Sequence, residues 1–346
     1  MFGLSIFQHL RTMKRLSFNL LSSLLSSARR FAIGAGLALA STAALAAWPE
    51  RPVTIIMGFP AGSGVDVIAR GIQGPLEKEL GVPVIIDYRS GAGGNLASSA
   101  VARATPDGYT LLLGTAATHG INPAIYKDLP FDVEEDFTPI ATLVDVSNVL
   151  TINPNVIDVN TVEEFIAEVK ANPDKYYFAS TGVGTGTQLA FEEFNARAGL
   201  KMVHVPYKGG PEALQSVVKG ETCCIFNQVQ TVLGQYKAGT VRLLGVSTAK
   251  RVDVVKDVPT IAEKAIPGFD SYIWFGIFGP KGMEPELTQR INAAINKALQ
   301  EPSVAERFVS TGNAIRLSTP EQFTQLVKEN RDKWAKVVQD AGLTPQ

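Results

Sequence analysis

Two short segments carry residue types suited to holding an anion: Gly62-Ser63-Gly64-Val65-Asp66 and Ser180-Thr181-Gly182-Val183-Gly184-Thr185-Gly186-Thr187. Each follows an apolar, strand-like run and opens a helix-like one. That placement directs backbone N–H groups and the positive end of a helix dipole at one point. Neither segment contains Lys or Arg, so a bound anion would be held mainly by neutral donors. In the second segment the hydroxyls of Ser180, Thr181, Thr185 and Thr187 add to the amides. Hydrogen bonds to a charged partner contribute roughly 1.5–3 kcal/mol each. Three or four would support micromolar binding, about −8 kcal/mol, after ordering costs. Alone, the first segment serves equally well as a structural turn. It is not a dinucleotide loop, because the glycine pattern fails at Val67. Asp66 either caps its own helix or accepts from a ligand. Gln188 and Asn227 are candidates to read a polar substituent. Thr115, Ala116 and His119 follow a strand end and are candidates for a cleft wall, as is Tyr207.

Catalysis is the main rival. After residue 46 only two histidines occur, His119 and His204, and no Gly-x-Ser-x-Gly elbow accompanies them. Metal-ligand clusters and a Walker-type phosphate loop are missing from the sequence, so neither a metal nor a cofactor is expected. His204, in an apolar strand, reads as a hydrogen-bonded core residue. The only cysteines, Cys223 and Cys224, read as small apolar residues of a buried strand. Adjacent strand residues point to opposite faces, which argues against bridging them. The turn Arg89 to Asn95 reads as a tight strand-to-helix connection, and Lys208 as a solvated rim residue.

The elements that must position these loops alternate. Strand-like Val53–Met57, Val84–Asp87 and Tyr109–Leu113 are separated by helical runs over 67–80 and 97–104. A second unit begins near Val149, with a capping box at Thr161-Val162-Glu163-Glu164 and helices over 165–170, 189–198 and 213–219. Strands follow at 202–205, 223–226, 241–246 and 273–278, then helices at 285–299 and 319–338. The pattern predicts an α/β protein of two lobes, each a mostly parallel sheet flanked by helices, with the ligand in the cleft between them. Lobe 1 is expected to comprise 47–147 plus 273–346, and lobe 2 148–272.

Of 346 residues, 45% are apolar and 19% charged, ordinary for a globular chain. The first 46 residues hold five basic groups and no acid, followed by an Ala- and Leu-rich stretch from Phe31 to Leu45. This is the layout of a secretory signal peptide, with cleavage after Ala46 or Ala47. The apolar stretch is too short to span a membrane. The remaining chain has 27 basic and 33 acidic residues, a charge of −6, and so no electrostatic footprint for nucleic acid.

Several ordered motifs match one family. They are Trp48-Pro49-Glu50-Arg51-Pro52-Val53, Arg103 to Leu112 through Pro106-Asp107-Gly108-Tyr109, Asp136-Phe137-Thr138-Pro139-Ile140, His204-Val205-Pro206-Tyr207-Lys208-Gly209, Val258-Pro259-Thr260-Ile261-Ala262-Glu263 and Trp274-Phe275-Gly276. In these the chain resembles the tripartite tricarboxylate transporter receptors, also called Bug proteins. The resemblance implies a periplasmic binding protein of type II-like fold that delivers an organic acid to separate membrane permease subunits. It also implies that the ligand carboxylate is gripped by Phe59 to Asp66, including Ala61, and by Ser180 to Gly184. The chain departs from the family where Ser63 replaces a glycine, where Cys223 stands at an often acidic position, and where Asn227-Gln228 alters a frequent Asp-Asn pair. A receptor of this kind is expected to be a monomer. The rival readings are a secreted enzyme on a carboxylate and a ligand-presenting sensor subunit for a membrane signalling protein.

Overall fold

The structure, a computed structural model, describes residues 48–340; the expected signal peptide lies outside the described residues. The first sheet is nucleated by β1 (Val53–Met57), whose apolar run is buried and pairs in parallel with β2 (Val84–Tyr88) and β3 (Thr110–Thr115). Between them lie α1 (Gly64–Leu80) and α2 (Asn95–Ala102). Helix α1 stops at Gly81, which takes a left-handed φ of 73° and returns its amide to Glu77. After β3 the chain makes a π-helical turn over Ala117–Ile121 and a short helix, α3 (Asn122–Ile125).

The strand β4 (Phe137–Ile152) is a single element of 16 residues, where the sequence suggested a new unit only near Val149. Its first part pairs antiparallel with β9 (Tyr272–Pro280) and β10 (Asn313–Ile315) in the first sheet. Residues 148–152 then pair antiparallel with β7 (Cys224–Gln228) and β8 (Arg242–Val246) in the second sheet. There β5 (Tyr177–Ser180) runs parallel to both β6 (Val203–Pro206) and β7. Every antiparallel pair contains β4, which runs through both sheets, or β9 of the first sheet, so both sheets are mixed rather than parallel throughout.

The second sheet is covered by α4 (Val162–Ala171), α5 (Gly186–Ala198), α6 (Gly210–Lys219), α7 (Val229–Lys237) and the short α8 (Ile261–Lys264). The capping box holds: Thr161 Oγ1 accepts from the Glu164 amide, and the Glu164 carboxylate accepts from the Asn160 amide. The core on one face is aromatic, with Phe178 stacked on Phe191 at 4.1 Å and Phe194, Phe226 and Phe269 packed edge-on or stacked nearby. Helices α9 (Pro285–Leu299), α10 (Pro302–Ser310) and α11 (Pro320–Asp340) complete the chain. Cys223 and Cys224 are buried and unbridged, as the apolar-strand reading expected, and burial pushes the Cys224 thiol up.

Candidate functional site

Both glycine loops sit at the C-terminal ends of strands, β1 and β5, and run into helices α1 and α5. In the first loop Ser63 caps α1, its hydroxyl accepting from the Asp66 amide at 3.3 Å. The Asp66 carboxylate accepts from the Gly62 amide at 2.7 Å and the Tyr88 hydroxyl at 2.7 Å, and pairs with Arg70 Nε at 3.1 Å. Burial raises its pKa, but the Gly62, Tyr88 and Arg70 contacts together outweigh burial and hold the carboxyl below its usual range. Of the two roles open to Asp66, the geometry shows capping: both oxygens have partners on its own side of the molecule. Ala61 and Gly62 are exposed, while Phe59, Ser63 and Gly64 are half-buried.

The second loop spends its hydroxyls on itself. Ser180 is fully buried; its Oγ lies 2.6 Å from His204 Nε2 and accepts from the Gly182 amide at 3.1 Å. Thr185 donates to Gly182 O at 2.7 Å, the Thr181 amide donates to Thr187 Oγ1 at 3.0 Å, and the Thr181 and Thr187 hydroxyls are 2.8 Å apart. Gln188 is buried and accepts from the Gly184 amide at 2.8 Å. These side chains were expected to reach a ligand directly, but Ser180 and Gln188 instead fix the loop's shape, because hydroxyls and amides this close in sequence find backbone partners first. The start of α5 is what the loop offers: Thr185, its N-cap, makes no side-chain capping bond.

The wall residues separate. His119 is completely buried, stacked on Phe278 at 4.0 Å and edge-on to Phe137 at 4.6 Å, so it does not line a cleft. The π-helical turn carries its ring into the core, where burial lowers the pKa to about 3 and, among the described residues, Nε2 has no partner. Thr115 and Ala116 are buried too, Thr115 exchanging bonds with Thr118. His204 is a hydrogen-bonded residue stacked on Phe178 at 5.0 Å, with burial lowering its pKa to about 4. Tyr207 is half-buried at the end of β6, its amide donating to Ser180 O. Asn227 anchors two turns, donating to Gly210 O and accepting from the Gln228 amide.

The loops form a closed circuit of contacts. A Cβ added at Gly64 would fall 2.4 Å from Gln228 Oε1, so the first loop lies against the end of β7. From there Asn227 reaches Gly210 at the start of α6, Tyr207 O lies close to Gly182, and Gly184 meets Ile125 of α3. Tyr126 then meets Gly93, and Gly58 and Phe59 pack on Gly94, returning to the first loop. At Gly58 the approach is backbone to backbone, 2.4 Å from an added Cβ to Gly94 Cα, so no side chain fits. Around this circuit α2, α5, α6 and α7 all begin without a side-chain cap. Helix starts without side-chain caps, and no cation within either glycine loop, are an arrangement suited to an anion held by neutral donors. The sequence missed Gln228, Ile125, Tyr126 and Gly94; only the third glycine turn was a signal for the last. A cavity of about 420 Å³ lies elsewhere, at the β10 end of the first sheet, and none of the glycine-loop residues lines it. No group of metal-ligating side chains occurs among the described residues.

This architecture is that of the two-lobe periplasmic binding proteins. The model of the tripartite tricarboxylate transporter family receptors matches residues 68–343. Protein BugT of Bordetella pertussis is 33% identical over 296 residues, covering 85% of this chain and 90% of that one. Among solved structures, R. palustris Rpa4515 with adipate superposes with a TM-score of 0.79 at 30% identity, over 86% of this chain and 100% of that one. MatC from Rhodopseudomonas palustris with bound malate gives 0.74 at 32% identity, over 84% and 100%. The chain therefore belongs to the tripartite tricarboxylate transporter receptor family. That membership makes it a solute receptor and sets aside the secreted-enzyme reading.

Proposed function

We propose that this receptor is exported, captures a small organic carboxylate in the crevice between its lobes, and delivers it to the integral-membrane permease subunits of a tripartite tricarboxylate-type transporter. The observation that carries the reading is the circuit of uncapped helix starts around the two glycine loops, which offers amide donors and no fixed loop cation to a small anion. Neighbours of this fold hold adipate and malate, both carboxylates. On this reading Phe59, Ala61, Gly62, Ser63 and Gly64 contribute from lobe 1. The backbone of Thr181, Gly182 and Thr185, with Tyr207 and Asn227, contributes from lobe 2. The lobes are taken as 47–147 with 273–346, and 148–272, so that β4 and the β9 entry are the crossings. One anion bonded from both sides stabilises only the closed arrangement, and capture is closure. The protein acts as a monomer in the periplasm after loss of residues 1–46.

A thermal-shift screen of purified protein against organic acids tests this. Ligand at about 100 times its dissociation constant adds about 2.7 kcal/mol, several degrees for a chain of this size. Di- and monocarboxylic acids should raise the midpoint while their amides do not. Equal shifts from acids and amides would remove the anion from the account.

A further inference from the structure

Gln228 occupies a position that the glycine loops alone do not explain. It ends β7, serves as the N-cap residue of α7 without a capping bond, and its Oε1 rests against Gly64 at the start of α1. Two helix N-termini therefore meet at this side chain. Its amide is oriented: Gln230 Nε2 donates to Gln228 Oε1 at 2.9 Å, and Asn313 Nδ2 donates to Gln230 Oε1 at 3.3 Å. Asn313 is buried on β10, which belongs to the first sheet, whereas Gln228 ends β7 of the second and Gln230 lies in α7, which follows it. With Oε1 occupied, Nε2 of Gln228 remains as the side chain's donor, and among the described residues it meets no acceptor. The same junction is packed by Val229, which sits so close to Gly312 that an added Cβ there would fall 3.0 Å from the Val229 side chain.

We infer that Gln228 is the second-lobe donor that completes the anion site, and that the chain Gln228–Gln230–Asn313 is a latch that fixes its amide and ties the lobes together. The inference rests on the carboxylate reading for its first half only. A neutral amide there attracts a carboxylate without the cost of an uncompensated cation in the empty site. Gly64 is part of the device, since any side chain at that position displaces the Gln228 amide.

The test uses malate and adipate as probes, titrated calorimetrically. Gln228→Glu keeps an acceptor for Gln230 but replaces the donor with a negative charge, and should weaken whichever acid binds by a hundredfold or more. Gly64→Ala, at a helical position that tolerates alanine, should weaken it roughly tenfold, the loss of about one hydrogen bond. In a Gln228→Ala background the same change at Gly64 should do nothing further. Additive losses, or a Gln228→Glu protein that binds as the wild type does, overturn the donor role. The latch is read without ligand, by the distance between nitroxide labels at the exposed positions Arg103 and Lys201. Gln230→Ala should lengthen and broaden that distribution; an unchanged one overturns the latch. Wild-type protein that binds neither acid counts against the carboxylate reading and the donor role together, while the distance measurement still decides the latch.

Discussion

Replacing Asp66 by asparagine separates a structural cap from a ligand contact. The carboxylate side chain is 7% exposed and accepts from the Gly62 amide and the Tyr88 hydroxyl, while Arg70, 51% exposed, adds little. Asparagine keeps one acceptor oxygen but turns an NH2 group toward the second donor. The change therefore forfeits the charge assistance of one bond and leaves a donor facing another. At about 1–3 kcal/mol for such a mismatch, the loss is about 2–3 kcal/mol. Scaled to a chain of this length, that is a fall of roughly 5 °C in the midpoint of the ligand-free protein at pH 7. The pH dependence has a definite sign. The folded pKa is depressed below 3.8, so the stabilisation is present above the unfolded value and is lost as pH falls through the folded one. Wild type and Asp66→Asn should differ at pH 7 and converge as pH falls through the depressed folded pKa. Thermal melts of the apo proteins across that range are the assay. An unchanged apo midpoint at pH 7, with the loss seen only in acid binding, would make Asp66 a ligand acceptor and refute the capping argument.

Ser180→Ala removes the partner of His204 Nε2 on the neighbouring strand β6 and of the Gly182 amide within the loop. We expect about 1–3 kcal/mol of lost stability together with weaker acid binding, seen in paired melts and titrations; weaker binding with an unchanged melt would return the hydroxyl to the ligand. The two buried histidines set an acid limit of their own. Burial lowers both pKa values, His204 to about 4 and His119 to about 3, so the unfolded chain binds the extra protons below pH 6.5. Stability should fall by about 1.4 kcal/mol per histidine per pH unit between 6.5 and about 4. Chemical denaturation at pH 7 and pH 5 measures it, and His119→Phe should flatten the slope; an equal slope in that variant would contradict its burial as a neutral ring.

What the sequence showed and what it hid divide along one physical line. Glycine and serine after an apolar run mark where a strand ends and a helix begins, so both glycine loops were legible as strand-to-helix junctions. Thr161 and Glu164 announced the start and cap of α4, and the apolar setting of Cys223-Cys224 announced a buried, unbridged pair. Each of these depends on contacts a few residues apart. The direction in which a hydroxyl points does not follow in the same way. Ser180 and Gln188 have the right chemistry for a ligand, yet both find partners inside their own loop, and only the fold decides between the two uses. His119 is the clearest case. Its place just past a strand end suited a cleft, but a π-helical turn rotates the ring under Phe278, and nothing in the residue order distinguishes that turn from an ordinary one. Gln228 is the reverse. It attracts no notice in the sequence beyond its departure from a family pattern, because its contacts come from Gly64, more than 160 residues earlier, and, through Gln230, from Asn313, 85 later. A binding site made of neutral donors has no charge signature to betray it. On the proposed reading its specificity resides in how distant segments orient a few amides, which is why the loops could be named from sequence and the residue that joins them could not.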